Sequence, residues 1–314
     1  MHQINWGIIG CGNVTELKSG PAFNKIPGSR VVGVMRRDGV KAADYARRHN
    51  VDFWYTDADE LIGNPEINAV YIATPPASHT DYAIRVLKSG KPVYVEKPMA
   101  ASYADCIKMK EASDTAGLPL FVAYYRRFLP YFIKIKEILS CKLLGKLLYG
   151  KIDFHIAPRT EDLNPETLPW RVIPEIAGAG YFYDLACHQL DLLDWYFGKP
   201  VNAEGSAYNR RGLYQAEDLV LAHINYDSGV PVSAQWCFAA GNNEHRDTIS
   251  IFGEKGSLEF STFDFTPIKL STSDCIEEFR PDNPENIQYW FIKNMVEDLQ
   301  GSDNVKGNIE NAIR

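Results

Sequence analysis

The stretch "GIIGCGNVT", residues 7–15, sets the fold of the first part of the chain. An apolar run ends at Gly10, and a second glycine, Gly12, stands at the start of a helix-length segment. The first glycine permits a tight turn, and the second lets backbone N–H groups approach a pyrophosphate at the positive end of the helix. Asn13 and Val14 would contribute to the same turn. A plain strand-to-helix turn is the alternative interpretation.

The apolar runs that follow favour the dinucleotide-binding interpretation. Val/Ile-rich segments recur at 30–35, 69–74, 92–97 and 119–124, separated by amphipathic helical patterns. Continuous apolar strands that alternate with helices are typical of a parallel sheet covered on both faces. The sequence therefore predicts an α/β, Rossmann-type doubly wound domain over residues 1–123.

The third position of the G-x-G-x-x-G pattern is Thr15, so the fingerprint is incomplete. Thr15 either loosens the packing of helix on strand or donates its hydroxyl to a phosphate. The end of the second strand indicates the cofactor, because NAD-selective folds place Asp or Glu there for the ribose hydroxyls. This chain has Arg36 and Arg37 instead, and an arginine pair suits a 2′-phosphate. Asp38 fits better as the N-cap of the next helix. We expect NADP to be preferred over NAD, with two solvated loop arginines as the alternative.

The pattern changes after residue 124. A helix is expected near 129–141 and another over 286–299. Three segments alternate apolar with polar residues in the manner of antiparallel strands with one packed face: 146–157, 218–239 and 247–262. The sequence thus predicts a second domain over 124–314, of the α+β class, with a mainly antiparallel open sheet.

Composition excludes several classes of protein. The 314 residues are 45% hydrophobic and 23% charged, with a net charge of −7 and scattered Lys and Arg, which is unlike a nucleic-acid or anionic-membrane surface. The six isolated cysteines indicate reduced thiols rather than a disulfide framework or zinc site. No apolar run reaches the length of a membrane span. The first strand begins too close to Met1 for a signal peptide, so a cytoplasmic location is expected. The segment "GSDNVKGN", 301–308, has the composition of a disordered stretch.

The stretch "PVYVEKPMA", 92–100, ends a buried strand in Glu96 and Lys97 and then a proline. Ligands of open α/β sheets bind beyond the carboxyl ends of the strands, so the Lys97 ammonium is expected to reach such a cleft. Pro98 restricts Lys97 to extended conformations. A free lysine has a pKa of about 10.4, and burial or a nearby positive ring lowers that value into a range useful for proton transfer. A surface ion pair is the alternative.

Together with "ATPPASHTDYA" (73–83) and "GAGYFYDLACHQLDLLDWYFG" (178–198), these motifs make the chain resemble the Gfo/Idh/MocA family of oxidoreductases. The resemblance implies two domains, with an open second sheet that often mediates oligomerisation, here as a homodimer or homotetramer. It also implies oxidation or reduction of a sugar, cyclitol or related polyol with NAD or NADP. Lys97 would be catalytic, and Glu96 would orient Lys97 or the cofactor.

The motif at 178–198 contains Asp184, His188 and Asp191. These residues are spaced i, i+4 and i+7 on a predicted helix from about 180 to 196, so they share one face. Histidine titrates near neutrality and is a good proton carrier. Asp184 would bind a substrate hydroxyl or hold the imidazole. A core histidine satisfied by its neighbours is the alternative. With Lys97 present, we favour a catalytic triplet of Lys97, Asp184 and His188, and either Lys97 or His188 could move the proton.

Five further residues are weaker candidates. Thr74 and Pro75 close the fourth strand and would lie beside the nicotinamide, with a plain Pro-Pro turn as the alternative. His79 is either a cofactor contact or the first residue of a helix. Arg127 and Arg171 are candidates for substrate binding, with an interdomain ion pair as the alternative for the first. No cluster has metal-ligand spacing.

Two other functions fit the resemblance. One is an NAD-dependent glycosidase, in which the cofactor transiently oxidises the sugar and is restored. The other is a non-catalytic regulator that senses nucleotide or sugar. Retention of Lys97, Asp184 and His188 argues against the regulator, because a binding protein does not need a proton carrier.

Overall fold

The computed structural model describes residues 3–302 and 309–314. The segment that composition predicts to be disordered, 301–308, lies mostly outside the described residues, as does Met1. Among the residues that are described, no helix combines the length and the apolar composition needed to cross a membrane.

The chain forms two compact units. One contains Met1–Tyr125 together with Pro284–Arg314, and the other contains Arg126–Asn283. The first division lies two residues from the predicted boundary between 123 and 124. The sequence assigns the rest of the chain to the second domain. In the structure, the last segment, from Pro284 onwards, belongs to the first unit instead.

The first unit is built on a six-stranded parallel sheet with the strand order β3-β2-β1-β4-β5-β6. Its strands are β1 (Ile4–Ile9), β2 (Ser29–Met35), β3 (Phe53–Tyr55), β4 (Ala69–Ile72), β5 (Val93–Val95) and β6 (Leu120–Val122). Every residue of β4, β5 and β6 is buried, as expected for strands with helices on both faces. The predicted Rossmann-type fold is confirmed.

Six helices connect these strands: α1 (Asn13–Leu17), α2 (Gly20–Asn24), α3 (Gly39–His49), α4 (Ala58–Gly63), α5 (His79–Lys88) and α6 (Tyr103–Ala116). The segment after the glycine turn, expected as one helix, is divided into α1 and α2 around Lys18 and Ser19. Asp38 caps α3 as predicted, because its side chain accepts a hydrogen bond from the Lys41 N–H at 3.2 Å.

The second unit contains an eight-stranded sheet in which every neighbouring pair is antiparallel except β7 and β10. In chain order the strands are β7 (Leu147–His155), β8 (Pro200–Tyr208), β9 (Leu219–Tyr226), β10 (Pro231–Cys237), β11 (Arg246–Gly253), β12 (Gly256–Phe260), β13 (Ile268–Thr272) and β14 (Ile276–Phe279). The mainly antiparallel sheet and its two hairpins are confirmed. Strands β8, β13 and β14 were not expected from the sequence.

Three helices accompany this sheet: α7 (Pro130–Ser140), α8 (Pro174–Ala177) and α9 (Cys187–Phe197). A π-helical turn, Phe182–Ala186, runs directly into α9. Aromatic side chains join this segment to one face of the sheet, since the Phe182 ring lies 5.0 Å from Trp236 and the Phe197 ring lies 5.7 Å from Tyr226. On β7 and β11, Tyr149 and Phe252 stack with 4.5 Å between ring centroids, and Tyr149 is exposed.

The last segment contains α10 (Tyr289–Leu299) and α11 (Ile309–Ala312). Phe291 of α10 is buried against Tyr94 of β5, with 5.6 Å between the ring centroids. Tyr94 in turn stacks on Tyr71 of β4, so the helix closes an aromatic layer over the parallel sheet. This burial explains why the segment belongs to the first unit.

Candidate active site

Four strands of the parallel sheet end in the same row. Ile9 of β1 pairs with Met35 of β2 and with Ile72 of β4, and Ile72 pairs with Val95 of β5. The residues that follow these strands therefore share one edge: Gly10, Arg36, Ala73 and Glu96. The strand order reverses between β1 and β4, which is where open α/β sheets bind their ligands.

The glycine turn needs its glycines for different reasons. Gly10 has φ +93°, and a Cβ there would lie 2.7 Å from Thr74 Cγ2 and 3.0 Å from the Ala73 backbone. Gly12 caps α1 with extended backbone, and a Cβ there would meet only the Gly10 carbonyl oxygen, at 3.8 Å. Gly12 is therefore not needed for packing within the protein, and its open backbone fits the close approach of a dinucleotide.

Thr15 is fully buried, and its hydroxyl donates a hydrogen bond to the Gly12 carbonyl at 2.8 Å. The hydroxyl thus closes the first turn of α1 and does not point towards a phosphate. The hydroxyl of Tyr45, on α3, donates a hydrogen bond to the Thr15 carbonyl at 2.9 Å. Asn13 is exposed and Val14 is half-buried, so both flank the open side of the turn.

Two arginines follow β2. Arg36 Nη1 donates to the Cys11 carbonyl at 3.1 Å, which brings its half-buried guanidinium against the glycine turn. Arg37 is exposed. Asp38 has partners of its own, because it caps α3 and its carboxylate lies 3.2 Å from the Lys41 ammonium.

The segment after β4 is joined to the segment after β5 by His79. Its ring is fully buried, with Nε2 2.7 Å from the Thr74 carbonyl and Nδ1 3.1 Å from the Pro98 carbonyl. Burial lowers the pKa of His79, which favours the neutral ring although carbonyl oxygens face both nitrogens. His79 begins α5 and makes a structural contact between backbones. Thr74 and Pro75 stay half-buried at the sheet edge.

Glu96 is buried and its carboxylate is surrounded by donors. Its Oε1 accepts from the Tyr71 hydroxyl at 2.6 Å and from Gln288 Nε2 at 2.8 Å. Its Oε2 accepts from the Lys97 backbone N–H at 3.2 Å. Burial, and next the Glu96 charge, raise the pKa values of Tyr71 and Tyr94 well above the usual range, so both remain donors. Lys97 is half-buried and is followed by a cis peptide bond to Pro98.

The π-helical turn of the second unit carries Asp184. The carboxylate is mostly buried and accepts a hydrogen bond from Arg171 Nε at 3.1 Å. The Arg171 guanidinium also stacks on Trp170, 4.5 Å from the ring centroid, and is partly exposed. Single π turns inside α-helices are frequent at functional sites, because they displace the side chains that follow from the regular α-helical positions.

His188 lies in the first turn of α9 and is buried, with its ring 6.0 Å from that of Phe263. Asp191, one turn further on, forms a bidentate ion pair with Arg127, with 2.9 Å from Nε to Oδ2 and 2.7 Å from Nη2 to Oδ1. Arg127 also donates to the Asp191 carbonyl at 2.8 Å. Arg127 is therefore engaged in an ion pair within the second unit. A contact between Arg127 and substrate stays a prediction.

Comparison with known proteins identifies the family. The model of an oxidoreductase family with an NAD-binding Rossmann fold matches residues 4–124, and that of the GFO/IDH/MocA C-terminal domain matches residues 132–259. A relative from Formosa agariphila, named Oxidoreductase P35, is 43% identical over 295 residues, which cover 94% of this chain and 90% of the relative. The chain belongs to the Gfo/Idh/MocA family. It is an oxidoreductase with an NAD-binding Rossmann fold.

Two further members have names that state a reaction or a ligand. The scyllo-inositol 2-dehydrogenase (NAD(+)) of Bacillus subtilis is 26% identical over 290 residues, covering 89% of this chain and 81% of that protein. A solved structure of levoglucosan dehydrogenase in complex with NADH and L-sorbose superposes with a TM-score of 0.86 and 20% identity, covering 99% of this chain and 94% of that one. The second likeness bears on the fold alone.

Most predicted cofactor residues of this Gfo/Idh/MocA member lie along the edge where β1, β2, β4 and β5 end. The sequence interpretation missed Tyr71, Tyr94 and Gln288, which surround Glu96. A signal was present for the tyrosines, because a Tyr in a fully buried strand needs a polar partner. No sequence signal indicated Gln288, because its partner Glu96 is 192 residues away in the chain. No group of three or more metal-ligating side chains occurs in the part of the chain that is described.

Proposed function

We propose that this protein is an NAD(P)-dependent dehydrogenase or reductase that prefers NADP and acts on a sugar, cyclitol or related polyol or its keto form. One observation carries the proposal: the glycine turn, the arginine pair and the Glu96–Lys97 dipeptide all follow strands that end in one row. The name of one relative, the scyllo-inositol 2-dehydrogenase (NAD(+)) of Bacillus subtilis, supports the substrate class.

The glycine turn is the proposed site for the pyrophosphate. Gly12 leaves the space around its Cα open, with Asn13 and Val14 beside it, so that backbone N–H groups of the turn would approach the pyrophosphate. Gly10 lets the turn pass close to Thr74. Thr74 and Pro75 would flank the nicotinamide. When bound, the cofactor accepts or delivers a hydride.

Lys97, Asp184 and His188 are the proposed catalytic groups. Oxidation of an alcohol requires a base for the hydroxyl proton, and reduction of a carbonyl requires an acid for the same oxygen. The Lys97 amine would hold that proton, with His188 as the second candidate carrier. Asp184, held by Arg171, would accept a hydrogen bond from a substrate hydroxyl. Glu96 would orient Lys97 through its backbone N–H.

The preference for NADP rests on the residues after β2. Arg36 already lies against the turn that would hold the pyrophosphate, and Arg37 is exposed beside it. Asp38, the carboxylate that follows in sequence, caps the first turn of α3 and lies 3.2 Å from the Lys41 ammonium, and both interactions compete with ribose hydroxyls for it. Two guanidinium groups without a competing acid favour a 2′-phosphate.

Titration with NADPH and NADH tests this preference. Replacing Arg36 and Arg37 by Ala is expected to weaken NADPH binding by about tenfold to about 150-fold for each charge-assisted hydrogen bond lost. NADH affinity should change little. Arg30→Ala is the matched control, because Arg30 lies at the other end of the same strand and pairs with Asp52. Equal affinities for the two cofactors in the parent protein would refute the preference.

A substrate panel tests the reaction. Purified protein is assayed by nicotinamide absorbance with aldoses, inositols and their keto forms, in both directions and with each cofactor. The proposal predicts net cofactor turnover with at least one of these compounds. Hydrolysis of glycosides without net turnover would indicate the glycosidase instead, and binding without any reaction would indicate the regulator.

Two further features belong to the proposal. We expect a homodimer or homotetramer formed through the sheet of the second unit, because Tyr149, Leu221 and Tyr208 are exposed on its strands. Analytical ultracentrifugation of Leu221→Asp against the parent protein tests this expectation, and a monomeric parent would contradict it. We also expect a cytoplasmic location, because the six cysteines are isolated in the sequence and fit reduced thiols.

A further inference from the structure

Five residues of the first unit form a buried chain of hydrogen bonds that we call the Glu96 cluster: Ser19, Tyr71, Tyr94, Glu96 and Gln288. Ser19 Oγ donates to the Tyr71 hydroxyl at 3.1 Å, and Tyr71 donates to Glu96 Oε1 at 2.6 Å. From the other side, the Tyr94 hydroxyl donates to Gln288 Oε1 at 2.6 Å, and Gln288 Nε2 donates to Glu96 Oε1 at 2.8 Å. Both arms end at the same carboxylate oxygen.

The direction of these bonds is set by the groups themselves. A carboxylate only accepts, so Tyr71 and Gln288 must donate to Glu96. The Gln288 amide can satisfy both partners in one orientation only, with its nitrogen towards Glu96 and its oxygen towards Tyr94. Gln288, Tyr71 and Tyr94 are 0% exposed and Glu96 is 7% exposed, so water does not replace a lost member at low cost.

The cluster reaches Lys97 through the second oxygen of Glu96. That oxygen accepts a hydrogen bond from the Lys97 backbone N–H. A rotation of the carboxylate would therefore alter this hydrogen bond and shift the backbone that carries the lysine side chain. Gln288 is itself anchored to the segment after the glycine turn, because its N–H donates to the Lys18 carbonyl at 3.3 Å. The last segment of the chain thus connects the dinucleotide turn with the strand end that carries Lys97.

We infer that Gln288 is a positioning residue for the reaction, acting through Glu96 on Lys97. This inference rests on the proposed function, in which Lys97 handles the proton of the reacting oxygen. Gln288 itself need not touch cofactor or substrate. It fixes the rotation of the Glu96 carboxylate, and a displacement of a catalytic group by about 1 Å costs about a hundredfold in rate.

Gln288→Met is the first test, because it keeps the length of the side chain and removes both hydrogen bonds. We expect kcat on a confirmed substrate to fall about tenfold to about a hundredfold, with cofactor Kd within about twofold of the parent value. Asn286→Leu is the matched control. Asn286 is also buried on the last segment and donates to the Leu17 carbonyl at 2.7 Å, but it makes no contact with Glu96. The control should lose stability without the selective loss of kcat.

Tyr71→Phe gives a second measurement on the same oxygen and keeps the ring that stacks on Tyr94. It should reproduce the selective loss of kcat, and the double variant with Gln288→Met should lose less than the product of the two single effects. Tyr71→Phe therefore tests the inference even where Gln288→Met does not fold.

A pH profile separates positioning from packing. Gln288→Glu places a second carboxyl group beside Glu96, and two such groups share one proton when the pH falls. The shared proton restores a donor at Glu96, so kcat relative to the parent should rise towards low pH, whereas the ratio for Gln288→Met should stay constant. Other titratable groups around this pair are Tyr71, Tyr94 and His79, which the Glu96 charge affects, and Tyr125, which affects Tyr94.

The Lys97→Met variant distinguishes the possible failures. If Lys97→Met keeps full activity, the proposed role of Lys97 is wrong, whatever Gln288 does. If Lys97→Met is impaired and Gln288 acts through it, then Gln288→Met has no further effect on the residual rate of Lys97→Met. Full kcat in Gln288→Met or Tyr71→Phe, or an equal loss of kcat in Asn286→Leu, would overturn the inference.

Discussion

Replacing Arg127 tests whether this side chain stabilises the second unit through its ion pair with Asp191 or binds substrate, as the sequence suggested. In the structure its guanidinium makes two contacts with the Asp191 carboxylate and one with the Asp191 carbonyl. The side chains are 16% and 5% exposed, so the pair is largely removed from water. Arg127→Met keeps much of the side-chain volume but removes the charge. Breaking a buried pair by removing one partner typically costs about 3–5 kcal/mol, because the remaining charge stays buried.

Urea denaturation followed by circular dichroism measures this cost. We expect the midpoint of the second unit to fall while KM for a confirmed substrate stays near the parent value in the folded protein. Arg280→Ala is the matched control, because Arg280 is exposed and lies 3.4 Å from Glu278, a surface pair worth about 0–1 kcal/mol. An unfolding free energy within about 1 kcal/mol of the parent, together with a raised KM, would refute the ion-pair argument and indicate that Arg127 binds substrate.

Two further predictions concern the glycine turn and its surroundings. Gly10→Ala should destabilise the protein more than Gly90→Ala. Both glycines have positive φ, which costs about 1–2 kcal/mol for a residue with a Cβ, but of the two only Gly10 has neighbouring backbone that the Cβ would meet. Equal losses of stability in the two variants, measured by thermal unfolding, would contradict the predicted clash. Glu16 has its pKa lowered from 4.5 to about 2 by the hydrogen bond from Arg48, so its contribution is present above pH 4.5 and is lost as the pH falls towards 2. The difference in unfolding free energy between the parent and Glu16→Gln, about 1 kcal/mol or less for this partly exposed pair, should therefore shrink over that range, and a difference independent of pH would contradict the assignment.

The sequence predicted those features of the fold that depend on local pattern. The apolar strand before Gly10 and the capping role of Asp38 follow from rules that act within a few residues, and both are confirmed. Two deviations have physical causes. Helices α1 and α2 replace one expected helix, and Ser19 between them is buried and hydrogen bonded to Tyr71. The π turn before α9 is a change of helical period that an i, i+4 pattern does not reveal.

The site was harder to predict where partners are distant in the chain. Lys97 could be proposed from the sequence because a charged residue after a buried strand is unusual, whereas Gln288 was missed because an amide in a helical segment is ordinary. Arg127 shows the same limit, since its partner Asp191 is 64 residues away and its own neighbours do not indicate an ion pair. Whether Asp184 and His188 act with Lys97 stays a prediction.

The most direct test of the central claim uses NADPH with deuterium at the reactive position of the nicotinamide and the keto substrate identified by the panel. We expect the parent protein to transfer the label to the carbon of the product alcohol, and Lys97→Met to form labelled product at a rate lower by about a hundredfold or more. Product that carries no label, or undiminished label transfer by Lys97→Met, would contradict it.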